Sequence, residues 1–247
     1  MRAPRNISPM DEKKIALVTG ANKGIGYAVA HGLGAEGFRV AVGARDDERR
    51  DAAVQKLRAD GVDAFGVALD VTSDESVATA AQEIEAEAGR LDVLVNNAGI
   101  SGRLDGGAQD PTTLDLAVLR TVLDTNVLGV VRVTNAMLPL LERAGAPRIV
   151  NMSSDMGSLE LHTGPLLAAY ASSKTMLNAL TVQYARRLAD TAIIVNSACP
   201  GHVATDFTGH QAPRTPAQGA TIAVRLARLP DDGPRGGFFN EAGPVPW

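Results

Sequence analysis

Short apolar runs alternate along this chain with longer segments in which apolar residues return every three or four positions. The runs at 14–19 (KIALVT), 39–44 (RVAVGA), 64–69 (AFGVAL), 91–95 (LDVLV), 148–152 (RIVNM), 192–195 (AIIV) and 238–239 (FF) read as seven strands. Between them, 27–36, 47–60, 72–88, 113–144, 168–188 and 216–229 carry helical patterning, with Gly37 suited to a C′ position and Thr72 or Ser73 to an N-cap. The 113–144 helix is interrupted near 126–129, and Asn126 is unfavourable inside a helix unless its amide has a task. The polar, glycine-rich stretch 101–111 reads as a mobile loop bordering a substrate. Strand and helix in strict alternation predict an α/β architecture with a mostly parallel, seven-stranded sheet.

Composition narrows the class. With 247 residues, 45% hydrophobic and 21% charged, and with no linker or repeat, the chain is expected to form one globular domain over 13–247 behind a flexible tail, 1–12. A net charge of −4 argues against a nucleic-acid surface. The single Cys199 rules out an internal disulfide, no Cys, His or carboxylate cluster has metal-ligand spacing, and no apolar run is long enough to span a bilayer. These features fit a cytoplasmic protein without membrane or nucleic-acid partners.

Candidate chemistry gathers at the ends of the strands. The first leads into Gly20-Ala21-Asn22-Lys23-Gly24-Ile25-Gly26 and then a helix, the context in which glycines let backbone approach a pyrophosphate at a helix N-terminus; a Gly-rich turn that merely closes a βα unit is the alternative. The second ends at Ala44-Arg45, where an NAD-binding protein usually places a carboxylate. Arg45 offers a guanidinium fork suited to a 2′-phosphate, Lys23 a second cation, and the pair favours NADP(H) over NAD(H). Asp70-Val71 ends the third, with Asp70 either accepting from an adenine amino group or capping the next helix. At the fourth, Asn96 and Asn97 can pin a loop while Ala98-Gly99 leaves room for a flat ring. Ser153 and Ser154 end the fifth. After the sixth, Pro200-Gly201 forces a turn where backbone amides near Val203, together with Thr205, could meet a carboxamide. Finally, Tyr170 and Lys174 lie four apart on one helical face, so the ammonium can act on a phenol whose ordinary pKa is about 10.

With T-G-x-x-x-G-I-G at 19–26, N-N-A-G at 96–99, Y-x-x-x-K at 170–174 and the P-G turn at 200–201, the chain resembles the short-chain dehydrogenase/reductase family over essentially its whole length, and within it the NADPH-dependent carbonyl reductase branch. The resemblance implies a three-layer, doubly wound Rossmann fold and a catalytic tetrad. Asn126 would anchor a relay water, Ser154 rather than Ser153 would hydrogen-bond the substrate oxygen, Tyr170 would be the general acid, and Lys174 would lower the tyrosine pKa and hold the nicotinamide ribose. Gly20, Asn22, Lys23, Gly24, Ile25, Gly26, Arg45, Asp70, Val71, Asn96, Ala98, Gly99, Tyr170, Lys174, Pro200, Gly201, Val203 and Thr205 would contact the dinucleotide, and no metal is implied. The short segment between Thr205 and Pro216 points to an open pocket for a small-molecule carbonyl substrate, and the tail to a monomer or weak homodimer. An NAD-dependent alcohol dehydrogenase and a non-catalytic dinucleotide sensor are the competing readings. His31, His162, His202 and His210 are assigned surface or loop roles, and Cys199 a buried one.

Overall fold

The computed structural model describes residues 13–102, 109–161 and 164–247, so the tail 1–12 and His162 lie outside the described residues. In chain order the elements are β1 (Ile15–Thr19), α1 (Gly24–Ala35), β2 (Arg39–Ala44), α2 (Asp47–Ala59), β3 (Ala64–Ala68), α3 (Asp74–Ala88), β4 (Val93–Asn96) and α4 (Leu116–Leu123). A π-helical segment (Asp124–Leu128) joins α4 to α5 (Gly129–Leu141), followed by β5 (Arg148–Met152), α6 (Ala168–Arg187), β6 (Ile194–Ala198), α7 (Pro216–Ala227), β7 (Phe238–Asn240) and β8 (Gly243–Pro244). The sheet order is β3-β2-β1-β4-β5-β6-β7-β8, all parallel except the last pair.

Side-chain alternation along the strands splits the core into two layers. Ala16 and Val18 of β1 pack with Val29 and Leu33 of α1, Leu57 of α2 and Ile222 and Leu226 of α7 on one face. Ile15 and Leu17 pack with Ile84 of α3, Met137 and Leu141 of α5 and Leu188 on the other. Both faces being covered, the strands read as nearly unbroken apolar runs, and the three-layer, doubly wound Rossmann arrangement follows. The chain moves outward from β1 to β3 and then restarts at β4 on the other side of β1, so the loops leaving β1 and β4 diverge. That switch point opens a crevice at the carboxyl edge of the sheet.

Among the differences from the sequence reading, three alter the sheet or the glycine turn. The sheet has eight strands rather than seven, because Asn240 Oδ1 accepts from Ala242 and Gly243 N at 2.9 and 3.1 Å and turns the chain back for a two-residue strand too short to show a pattern. The sixth strand runs on through Asn196 and Ser197, whose polar side chains hid it. Asn196 Nδ2 donates to Pro234 O and its Oδ1 accepts from Gly237 N, while Ser197 Oγ donates to Thr181 Oγ1. Helix α1 begins at Gly24, inside the glycine run.

A buried polar chain ties the middle strands to the helices over them. Asn96 Nδ2 donates to Thr134 Oγ1 (3.0 Å) and to Asn151 Oδ1 (2.9 Å), and Asn151 Nδ2 donates to Thr181 Oγ1 (2.9 Å). All four are at most 3% exposed, so each lost bond leaves a group that water cannot reach. Asn151→Leu strips one partner each from Asn96 and Thr181, and urea unfolding should show it less stable than the wild type by roughly 2–4 kcal/mol.

Candidate active site

A cleft of about 1740 Å³ opens at the switch point and is lined from the loops after β1, β2, β3, β4, β5 and β6 together with α6. That exceeds the roughly 300–1,000 Å³ of an ordinary small-molecule pocket, leaving room for a dinucleotide and a substrate side by side.

The glycine loop forms one wall. Gly20 (φ 64°) and Gly24 (φ 57°) take left-handed backbone, and a Cβ on Gly26 would lie 2.4 Å from both Gly20 O and Asn97 Nδ2, so α1 packs against the turn only as glycine. Lys23 caps α1 without a side-chain acceptor, which leaves the first amides of the helix to an incoming anion. Asn22, Lys23, Gly24 and Ile25 all line the cleft. Thr19 Oγ1 accepts from both Asn97 N and Ala98 N at 2.9 Å, and Asn97 Nδ2 donates to Thr19 O and Gly20 O, so the two diverging strand ends are tied together at the crevice floor. Ala98 and Gly99 line the cleft beside them.

Asn96 does not. Its side chain points into the polar chain between β4 and β5, because successive strand residues face opposite ways; Asn97 is the amide at the cleft.

Among the cations that line the cleft, Lys23 is ion-paired with Asp206, Arg49 with Asp46, and Lys174 donates to Met152 O. Arg45 is exposed at the end of β2, and among the described residues it makes no hydrogen bond or ion pair. Arg49 escaped the sequence reading because only the coiling of α2 carries it back to the cleft. Asp70 lines the same end. Its Oδ1 accepts from Thr72 N (2.9 Å) and Oγ1 (2.7 Å), bonds that lower its pKa, while Ser73 caps α3, so the capping alternative for Asp70 falls. Val71, Pro200, Gly201, Val203 and Thr205 also line the cleft.

At the other end lie Ser154, Tyr170 and Lys174. Ser153 Oγ is spent on Asn178 Oδ1 at 2.7 Å, whereas Ser154 Oγ lines the cleft beside Tyr170, donating to Asp155 Oδ1 at 3.1 Å and accepting from Met156 N at 3.2 Å. Lys174 is 5% exposed, with Nζ 2.7 Å from Met152 O and 5.6 Å from the Tyr170 ring centroid. Burial lowers its pKa to about 8. The tyrosine departs from expectation: burial pushes its phenol well up, the neighbouring Ser154 hydroxyl only partly offsets this, and Lys174 does not pull it down. The Lys174 ammonium is directed at a main-chain carbonyl rather than at the phenol. Tyr170 is therefore a protonated hydrogen-bond donor at neutral pH.

Asn126 is fully buried in the π-helical segment, and its amide is engaged. Oδ1 accepts from Ile100 N (2.8 Å), and Nδ2 donates to Ile100 O (2.9 Å) and Ser173 Oγ (3.0 Å). Its side chain thus binds the loop after β4 to the Tyr170 helix instead of facing the cleft. Two further residues lay beyond the sequence reading. Gln109, in the stretch taken for a mobile loop, is 7% exposed, and its Oε1 accepts from Ala169 N (3.1 Å) and Tyr170 N (3.3 Å), capping α6 from sixty residues away. Phe207 lays its ring 4.9 Å from that of Tyr170. No local signal announces either. Of the histidines, His31 faces Asp60 on the surface, while His202 and His210 line the cleft. Cys199 is buried beside Phe238 and Val245.

Known proteins resemble this chain in sequence and in fold. The family described as short chain dehydrogenase matches residues 14–215. "Short-chain dehydrogenase/reductase 1" of Saponaria officinalis is 34% identical, covering 94% of this chain and 96% of its own length. "Carbonyl reductase [NADPH] 1" of Sus scrofa is also 34% identical, over 95% and 94%. The structure of salutaridine reductase from Papaver somniferum superposes with a TM-score of 0.83 at 30% identity, covering 93% of this chain and all of that one.

The lysine pKa has a measurable consequence. A group whose folded pKa lies near 8 against 10.5 when unfolded makes the unfolded state bind more protons between those values, so wild-type stability rises with pH across that window. The difference in unfolding free energy between wild type and Lys174→Met should be flat below pH 8 and shift towards the wild type from about 8 to 10.5, as followed by urea denaturation at stepped pH.

Proposed function

The chain belongs to the short-chain dehydrogenase family, and from that premise we propose that it is an NADPH-dependent reductase of ketone or aldehyde carbonyls on small molecules. The observation that carries this reading is that Ser154, Tyr170 and the buried Lys174 line the same cleft as the glycine turn and Arg45. The NADPH-named pig relative and the exposed Arg45, which acts on Asp70 only through its charge, support the choice of cofactor.

The glycine turn, with its Cβ-free approach at Gly20, Gly24 and Gly26 and the open amides of α1, fits a pyrophosphate. Arg45 would take the 2′-phosphate, Asp70 and Val71 would flank the adenine, and Ala98, Gly99, Pro200, Gly201, Val203 and Thr205 would line the nicotinamide half. Bound NADPH supplies a hydride to the carbonyl carbon. Charge then grows on the carbonyl oxygen, and donors already in place stabilise it without reorganisation. Ser154 and Tyr170 are those donors. Tyr170 transfers its proton to the oxygen, and the raised phenol pKa keeps that proton available at neutral pH. The buried Lys174 ammonium, 5.6 Å from the Tyr170 ring centroid, would stabilise the resulting phenolate and hold the ribose hydroxyls. Asn126 contributes by holding Ile100 and Ser173, hence the spacing between the β4 loop and α6.

The test is consumption of NADPH and, separately, NADH by the purified protein across aldehydes, ketones, diketones and quinones. Turnover selective for NADPH is expected, and absence of turnover with every carbonyl would overturn the reading. Tyr170→Phe should lower kcat by about 10²–10⁴ with NADPH affinity nearly unchanged in a fluorescence titration. Arg45→Ala should weaken NADPH by roughly 10- to 100-fold and NADH little, since it removes a charge-assisted contact only the phosphorylated cofactor makes.

A further inference from the structure

The segment that follows the Pro200-Gly201 turn lines the cleft and touches both its glycine-loop wall and its catalytic end. Thr205 packs over Gly24, where a Cβ would meet its methyl at 3.4 Å, and Phe207 lies on the ring of Tyr170. Between them, Asp206 reaches the glycine loop, one carboxylate oxygen ion-paired with Lys23 Nζ and the other 2.8 Å from His210 Nε2. Lys23 and its hydrogen bond act most strongly on the carboxyl and hold its pKa down, with His210 adding less. Lys23 is thus a cation of the phosphate groove whose charge is turned onto a carboxylate of this same chain.

Resting on the NADPH reading above, we propose that Asp206 is a specificity-determining residue that competes with the 2′-phosphate of the dinucleotide for Lys23 and so sets how strongly the protein prefers NADPH over NADH. Magnitudes favour exchange. Lys23 and Asp206 have side chains more than half exposed, and such pairs are worth a factor of only about two to five, whereas a phosphate dianion beside Arg45 offers a stronger partner. Lys23 would leave Asp206 when the phosphorylated cofactor arrives and stay with it when NADH binds. Cofactor identity is then relayed to the segment bearing Phe207, the residue against the Tyr170 ring.

Titration calorimetry with NADPH and NADH tests this without substrate, on wild type, Asp206→Asn, Lys23→Ala and the double variant. Asp206→Asn frees Lys23 and should tighten NADPH by roughly two- to fivefold while leaving NADH unchanged, and the gain should vanish in the Lys23→Ala background. Weaker NADPH binding, an equal change for both cofactors, no change for either, or a gain that persists without Lys23 would each overturn the proposal. A wild-type protein that binds neither cofactor, or prefers NADH, would overturn the functional reading and the proposal together. One that prefers NADPH but ignores Asp206 would overturn the proposal alone.

Discussion

The hydrogen bonds that Asn97 and Thr19 exchange across the ends of β1 and β4 hold the site open at a defined width. Two parallel strands whose following loops diverge leave a gap, and a gap in a protein interior closes unless its rim is braced. Here the brace uses main-chain groups that would otherwise be unpaired, so the rim costs no orphaned polar atoms. Gly26 sits against that brace so closely that any side chain would break it, and the start of α1 is thereby set against the crevice floor. The cofactor wall and the catalytic wall share this one junction.

The catalytic wall is organised by burial rather than by direct pairing. Lys174 and Tyr170 share a helical face, yet the ammonium bonds to Met152 O rather than to the phenol. Withdrawal from water acts on both in the direction of the neutral form, lowering the lysine and raising the tyrosine. A proton donor results, suited to meeting charge as it develops on a carbonyl oxygen. Gln109 and Asn126 hold α6 from its N-terminus and its flank, so the donor's position depends on residues distant in sequence.

Much of this was legible in the residues. Strands and helices alternate with turn glycines between them because a sheet covered on both faces demands apolar runs, and those runs stand out. The glycine turn, Arg45, Ser154, Tyr170 and Lys174 were visible because each belongs to a local pattern: a strand end, a turn, an i,i+4 pair. The sixth strand was misplaced because Asn196 and Ser197 look like loop residues until their partners at Pro234, Gly237 and Thr181 are seen. Asn96 and Asn97 looked alike in sequence and face opposite ways, since alternation along a strand separates neighbours by a half-turn.

The sequence by itself determined the fold class, the location of the site at the carboxyl ends of the strands, and the residue types available for chemistry, because these follow from local periodicity and turn stereochemistry. Only the tertiary structure decided which groups remain free to act. It spent Asn126 on Ile100, paired Lys23 with Asp206, turned Asn96 inward, and brought Gln109 and Phe207 to Tyr170 from distant segments. Hydrogen-bond partners and burial depend on what packs from elsewhere in the chain, and no spacing along one segment encodes them.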